Sequence, residues 1–160
     1  MSHRKSIQTL IIITSLLLVF AGCSNQTNLD QSFDMPPTGW YMNSGVEFQT
    51  EITDTLKNYD FSISIRNNID YRYSNLYVFL ITEFPNGNYA RDTIEFVLAD
   101  NQGEWLGKGW SDVKESNILL NENMRFPLGG EYKFIVQQAM REDTLKGIVS
   151  IGLKIVDSSN

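Results

Sequence analysis

Short stretches in which apolar and polar residues alternate, separated by turn sequences, run through the chain from residue 46 to residue 155. The clearest are 46–53 (VEFQTEIT) and 61–66 (FSISIR). An alternation with period two places the apolar side chains on one face of a β-strand. Turn sequences lie between such stretches, as at 84–88 (FPNGN), where Asn-Gly readily supplies the positive φ angles of a tight turn. The pattern predicts a chain of strands joined by turns.

The same reasoning predicts further strands at 76–81, 93–99, 132–136 and 149–155, and a short one through Trp105 and Trp110. The segment 76–81 (LYVFLI) is apolar on both faces, which predicts a central strand covered from both sides. For 113–124, a short helix and an irregular crossing both remain open. About eight strands without a convincing amphipathic helix predict an all-β fold, a single antiparallel β-sandwich. A jelly-roll and an immunoglobulin-like topology both suit this pattern.

The first 23 residues have the composition of a lipoprotein export signal. A basic start at 3–5 (HRK) precedes an apolar run over 7–20, and Ala21 and Gly22 come directly before Cys23. Small residues at this place fit a signal peptidase cleft, and the lipoprotein pathway acylates a cysteine that follows them. As a helix the apolar run would cover about 21 Å, which is short of the roughly 30 Å hydrocarbon core of a membrane. We therefore expect a signal peptide over 1–22 and lipidation of Cys23.

The predicted mature chain begins with an acylated, flexible tether over 23–37, and the sandwich domain follows over 38–160. A diacylglycerol and an N-acyl chain on Cys23 would hold the protein at a membrane, because two or more acyl chains make a stable anchor. Ser24 follows the cysteine where some sorting signals have an Asp, and the first acidic residue is Asp30. These two features favour the periplasmic face of the outer membrane. We expect no cofactor other than this lipid.

Removal of residues 1–22 also removes the usual catalytic groups. His3 is the only histidine of the chain, and the acylated Cys23 is its only cysteine. The mature protein would therefore lack a histidine base, a free thiol and the histidine or thiolate ligands of most zinc sites. It keeps 19 acidic residues and, after the loss of Arg4 and Lys5, 11 of 13 basic ones, a net charge of −8. We expect a protein that is not an enzyme and binds neither a metal nor nucleic acid.

Blocks of residues between 71 and 153 are distinctive, and they follow a lipoprotein signal. They are 71–77 (YRYSNLY), 92–95 (DTIE), 98–100 (LAD), 103–109 (GEWLGKG), Phe126 with 130–132 (GEY), 138–141 (QAMR), and Leu145 with 147–148 (GI) and 151–153 (IGL). In this order they resemble the gliding motility lipoprotein GldH family of Bacteroidetes. The resemblance implies an outer-membrane-associated lipoprotein that is needed for gliding and belongs with the motility apparatus and the type IX secretion machinery. It implies no catalytic mechanism.

The block 105–110 (WLGKGW) is the most distinctive local feature. Gly107 and Gly109 would let another backbone or a ligand approach closely. Trp105 and Trp110 are five residues apart, so on a regular strand they would face opposite sides, one in the core and one exposed. One interpretation is an aromatic contact for a partner protein or a glycan. The other, which we favour for at least one of the two, is a pair of core tryptophans beside a bulge.

Three further groups of residues each have a functional and a structural interpretation. For Asp92, Asp100, Asn101 and Glu104, the functional interpretation is a calcium site and the structural interpretation is a set of Asx turns. Their spacing favours the turns. For Arg66, Arg72 and Arg141, the functional interpretation is a clamp for a partner's carboxylate or phosphate. The structural interpretation, which we favour, is ion pairs at the rim of the sandwich. The functional interpretation of the five tyrosines is a stacking platform for a sugar. The structural interpretation, which we favour, is that they occupy ordinary strand positions. They are Tyr41, Tyr71, Tyr73, Tyr77 and Tyr89.

We predict an envelope protein that works by contact with other proteins, with Trp105, Trp110, Arg141 and Tyr89 as candidate partner-binding residues. The first alternative is a carbohydrate-binding or glycan-sensing sandwich, which a line of exposed aromatic residues along one sheet face would favour. The second is a carboxylate-based hydrolase. It would require two acidic side chains within about 10 Å of each other in one pocket.

Overall fold

The computed structural model describes residues 27–158, which form β-strands and the connections between them. The strands are β1 (Thr27–Asp34), β2 (Trp40–Tyr41), β3 (Val46–Ile52), β4 (Tyr59–Asn68), β5 (Asn75–Glu83), β6 (Tyr89–Val97), β7 (Val113–Met124), β8 (Gly130–Gln138), β9 (Thr144–Leu145) and β10 (Ile148–Asp157). Within this range there is no helix of the length and apolar character needed to cross a membrane. The predicted signal peptide and the lipidation site Cys23 lie outside the described residues.

Two antiparallel four-stranded sheets and one short ribbon make up the fold. The order is β1-β10-β4-β7 in the first sheet and β3-β8-β5-β6 in the second, while β2 pairs with β9. The buried side chains of both sheets form one core, with β1 beside β3. The prediction of an all-β antiparallel sandwich is confirmed, and the structure has ten strands where about eight were expected.

Strand β4 shows how the alternating sequence produces the core. Phe61, Ile63 and Ile65 point inward and are buried, whereas Ser64 and Arg66 point outward. The same alternation in β10 buries Ile151, Leu153 and Ile155. Each such side chain contributes about 1.5–3 kcal/mol when it leaves water, and this drives the two sheets together.

The strand predicted at 76–81 corresponds to β5, which lies between β8 and β6. Its central position is confirmed, but the prediction that it is covered from both sides is wrong. The outer face leaves Tyr77 exposed and Phe79 half-buried. The Arg91 guanidinium carbon lies 3.8 Å from the centre of the Phe79 ring, so a long charged side chain from β6 replaces a second protein layer.

The prediction of a flexible tether over 23–37 is wrong for residues 27–34, because they form strand β1. This strand pairs along its length with β10, from Thr27 opposite Val156 to Asp34 opposite Ser150. It buries Leu29 in the core. Residues 35–37 continue into the fold, since the Met35 amide donates to the Val149 carbonyl oxygen at 2.7 Å.

The region 113–124 is neither a helix nor an irregular crossing, as β7 occupies all of it. It pairs with β4 from Val113 opposite Asn68 to Met124 opposite Tyr59. Its three consecutive apolar residues, 118–120, hid the alternation, because Leu119 points outward between two half-buried neighbours. The register is irregular between Ser62 and Tyr59.

Because all pairs are antiparallel, the connections collect at two opposite ends of the sandwich. We call the end with 53–58, 84–88 and 125–129 the N-terminal end, because β1 begins there. We call the end with 35–45, 69–74, 98–112 and 139–147 the loop end. Strands of nine or ten residues such as β4 and β10 separate the two ends by about 30 Å.

Candidate partner-binding surface

The connection 98–112 is the longest at the loop end and contains both candidate tryptophans. Its first part folds back on itself, as Ala99 and Trp105 form a bridge and the Leu106 amide donates to the Leu98 carbonyl oxygen at 2.9 Å. Trp105 is half-buried against the core, with its ring centre 6.4 Å from that of Tyr71. The placement agrees with the preference for at least one core tryptophan.

Trp110 is 98% exposed, the largest exposed fraction among the large hydrophobic residues of the described chain. The backbone before it lies flat on β7, because Lys108 and Glu115 exchange two backbone hydrogen bonds of 2.9 and 2.8 Å. Only glycine permits this approach: a Cβ on Gly107 would lie 2.9 Å from the Glu115 carbonyl oxygen, and one on Gly109 would overlap that of Val113. The loop therefore holds Trp110 outward instead of allowing it to fold onto the sandwich.

Arg141 lies in the turn after β8, also at the loop end, and is exposed. The buried Gln138 fixes this turn from both sides. Its amide nitrogen donates to the Glu142 carbonyl oxygen at 2.7 Å, and its amide oxygen accepts from the Met140 amide at 2.9 Å. Because the turn is tied to a buried side chain, Arg141 is presented from a fixed backbone.

At the loop end, tyrosines of the connection 69–74 contact both the connection 98–112 and the connection 139–147. Tyr71 packs edge-on against Tyr73 with ring centres 5.7 Å apart, and the Tyr73 hydroxyl donates to the Glu142 carboxylate at 2.6 Å. That hydrogen bond is the main reason why the pKa of Tyr73 is raised, whereas burial raises the pKa of Tyr71. Both hydroxyls stay neutral donors at physiological pH. The rings of Tyr71, Tyr73 and Trp105 pack together beneath the connections of the loop end.

Tyr89 does not join these residues. It is the first residue of β6, opposite Glu83, and lies at the N-terminal end with 76% of its surface exposed. The structure therefore brings three of the four candidate partner-binding residues to one end and places the fourth at the other. The five tyrosines do not form one platform either, because Tyr71 is buried, Tyr41 lies in β2, and Tyr77 and Tyr89 are at opposite ends of the second sheet.

Asp100 forms a turn, which agrees with the structural interpretation of the acidic residues as Asx turns. One carboxylate oxygen of Asp100 accepts from the amides of Gln102 at 2.8 Å and Glu104 at 2.9 Å, which is an Asx turn. Arg66 lies near Glu115 with 4.0 Å between Nε and Oε2, an exposed ion pair that contributes little. Among the described residues, no cluster of three metal-ligating side chains is found.

The outer face of the first sheet forms a shallow groove of about 620 Å³. Ser32, Ser64 and Asn117 line it around Gly152, and no aromatic residue does. Its two acidic residues lie on opposite edge strands, Asp30 on β1 and Glu115 on β7, and these strands are three strand spacings or about 14 Å apart. The register also offsets the two residues by four positions along the strands, so they lie further apart than that. The groove offers neither a stacking platform for a sugar nor a close pair of acids.

Sequence reasoning overlooked two features of this region. Gln138 supports the Arg141 turn, and only the contacts of a folded chain show this. The outer edge of β7 runs beside the Trp110 loop, and its signal is the uncharged stretch 116–121 (SNILLN) between charged neighbours. Both the Gln138 contacts and the outer edge of β7 depend on how the strands are arranged in the fold.

Strands and loops together define an all-β sandwich domain that displays an exposed tryptophan on a loop hydrogen-bonded to β7. The GldH lipoprotein family profile matches residues 27–155, and the chain belongs to this family. The gliding motility lipoprotein GldH homolog of Christiangramia forsetii is 38% identical and covers 98% of this chain and 99% of its own. The gliding motility lipoprotein GldH of Flavobacterium johnsoniae is 30% identical over 91% of this chain and 93% of its own.

The predicted family, that of the gliding motility lipoprotein GldH, is thereby confirmed, and membership implies a membrane-anchored lipoprotein of the cell envelope. Among solved structures, a carbohydrate-binding module of type CBM28, specific for non-crystalline cellulose, is similar with a TM-score of 0.45 and 10% identity. The similarity covers 85% of this chain and 76% of that module. A likeness of this degree says nothing of what the present chain binds.

Proposed function

We propose that this lipoprotein catalyses no reaction and works by binding another protein of the gliding and type IX secretion-associated machinery. Lipid on Cys23 would hold it at the periplasmic face of the outer membrane. The loop end would then make the contact. Confinement to a membrane raises the effective concentration of both partners, so an interface of modest size suffices.

The observation that carries this proposal is the exposure of Trp110. A tryptophan that is 98% exposed keeps its apolar surface in water. This exposure is unfavourable in free energy relative to packing the side chain against the sandwich. Leu106 and Val97 beside it are also more than half exposed. A clustered apolar surface around an aromatic anchor is typical of protein-binding sites, in which tryptophan often supplies the largest share of the binding energy.

The shortness of the tether supports an outward-facing loop end. Only four residue steps separate Cys23 from Thr27, the start of β1, and they span at most about 14 Å. The N-terminal end would therefore stay next to the membrane. The loop end, about 30 Å further along the strands, would project away from it.

Crosslinking and affinity purification from gently solubilised membranes test the proposal. We expect the wild-type lipoprotein to recover a motility or secretion component, and Trp110→Ala to lose it. Leu56→Ala is the matched control, because Leu56 is 79% exposed but lies at the N-terminal end. If no such component is recovered while a glycan array gives a clear signal, the carbohydrate-binding alternative replaces the proposal.

A further inference from the structure

Strand β7 is one edge of the first sheet, and within residues 27–158 its outer side is covered only at its beginning. β4 pairs with one side, and the loop residue Lys108 pairs with the other side at Glu115 alone. Hydrogen bonds in antiparallel strands alternate between the two sides, so residues two apart share the direction of their backbone groups. The N–H and C=O groups of Asn117 and Leu119 therefore point away from β4, as those of Glu115 do.

Up to Leu119 this edge lacks the usual protection against pairing with another chain, and the irregular register with β4 begins only between Leu119 and Asn121. Residues 116–121 (SNILLN) carry no charge and no proline, and Leu119 is 52% exposed. The neighbouring edge strand β6 carries Arg91, Asp92 and Glu95, all exposed. Natural edge strands are commonly blocked by charge, proline or a covering segment, because an open apolar edge is a template for an added strand. Of these two adjacent edges, β7 is the open one.

A groove runs beside the open edge. Val97, Leu106, Trp110 and Ile118 line its apolar part, and its volume is about 660 Å³. The loop segment 106–109 occupies one end of the edge, so it shows that an extended backbone fits there. A strand continuing along the edge would place every second side chain toward this groove.

In the upright orientation proposed above, the short tether disfavours a second copy of the chain as the occupant. Two identical strands that pair antiparallel run in opposite directions, so the N-terminal end of the second copy would lie beside the loop end of the first. The ends are about 30 Å apart, and the linker after Cys23 reaches at most about 14 Å. If both sandwiches stand upright, two anchored copies would not reach one membrane surface in this arrangement.

We propose that β7 binds an extended strand of another envelope protein by backbone pairing along 116–121. The inference rests on the proposed function and specifies its mode of contact. Alternate apolar side chains of that strand would enter the groove at Leu106 and Trp110. A lysine or arginine would lie near Glu122, which is exposed at the end of the uncharged stretch and forms no ion pair within residues 27–158. The net negative charge of the mature chain favours such a partner.

The test places a photo-crosslinking amino acid at Asn117 of the full lipoprotein in cells, and mass spectrometry identifies the captured peptide. Leu119→Pro removes an N–H that β4 does not use, and Leu119→Lys adds an edge charge. Thr93→Lys adds the same charge to the edge of β6 as a matched control. We expect both Leu119 variants to lower the crosslinked yield about tenfold or more, the factor that corresponds to 1.4 kcal/mol, and Thr93→Lys to retain it.

The captured peptide is expected to have alternating apolar residues and a basic residue. Thermal unfolding verifies that each variant is folded; if Leu119→Pro unfolds the chain, Leu119→Lys decides. Crosslinked dimers of this chain at Asn117, or a partner yield unchanged by both Leu119 variants, would overturn strand addition while leaving the proposed function intact. Recovery of no protein partner even by the wild-type chain and by a probe at Trp110 would instead refute the proposed function.

Discussion

Replacing Gly109 by alanine tests whether the loop that presents Trp110 depends on its contact with β7. The added Cβ would overlap the Val113 carbonyl oxygen, a backbone atom that cannot move without displacing the strand. The loop must then lift, and the two backbone hydrogen bonds between Lys108 and Glu115 would be lost. At about 0.5–1.5 kcal/mol for each bond, Gly109→Ala should lower the free energy of unfolding by about 1–3 kcal/mol.

Urea unfolding of the purified lipoprotein in mild detergent measures this change. Gly129→Ala is the control, because its nearest neighbour to a new Cβ is the Ile52 carbonyl oxygen at 3.5 Å, an ordinary contact. It should be neutral or stabilise the protein by up to about 1 kcal/mol. Hydrogen exchange at the Lys108 and Glu115 amides should accelerate only in Gly109→Ala. Equal stability of the two variants with unchanged exchange would refute the explanation of the glycine.

Three other predictions concern the core, the pH dependence and the anchor. Trp40 is fully buried, so Trp40→Ala should lower the free energy of unfolding by about 3–5 kcal/mol, whereas Trp110→Ala should change it by less than about 0.5 kcal/mol; urea titrations compare them. The pKa of Glu95 lies below its ordinary value of 4.5, first because Asn75 donates a hydrogen bond to it. Its contribution to stability is therefore present above pH 4.5 and lost as the pH falls below it, and Asn75→Ala should reduce this loss in unfolding midpoints measured across that range. Cys23→Ser should abolish incorporation of labelled fatty acid and release the protein from membranes; retention on membranes would contradict lipid anchoring.

The strands that sequence reasoning identified are mostly those with a well-buried face. In β3, β4 and β8, nearly every second residue is buried, and in β10 the alternating Ile151, Leu153 and Ile155 are buried, so the alternation in the sequence reflects that burial. The core therefore follows from the sequence without knowledge of the partner strands.

Of the long strands, those that it missed or misread are β1 and β7, the two edges of the first sheet. It also missed the two-residue strands β2 and β9, and the strand predicted through Trp105 and Trp110 is wrong, because the connection 98–112 lies there. An edge strand has a neighbour on one side only, and β1 buries just Leu29 in the core while Phe33 stays partly exposed. Such a strand is held by backbone pairing with β10, which leaves no mark on side-chain pattern. The candidate site was predictable only in part for a similar reason: Trp110 and Arg141 stand out in the sequence, but the open edge beside Trp110 depends on strand order.

The two edges of the first sheet have opposite consequences for function. β1 covers the β10 edge with residues that the sequence analysis predicts as a tether, and it brings the predicted lipidation site Cys23 to within a few residues of the domain. With lipid on Cys23, the same pairing that closes this edge would shorten the anchor and restrict how the sandwich can tilt on a membrane. β7, three strands away, stays open over 116–121. On a long tether, the open edge could pair with a second copy; in the upright orientation that we propose for the short one, that edge would remain for a different protein.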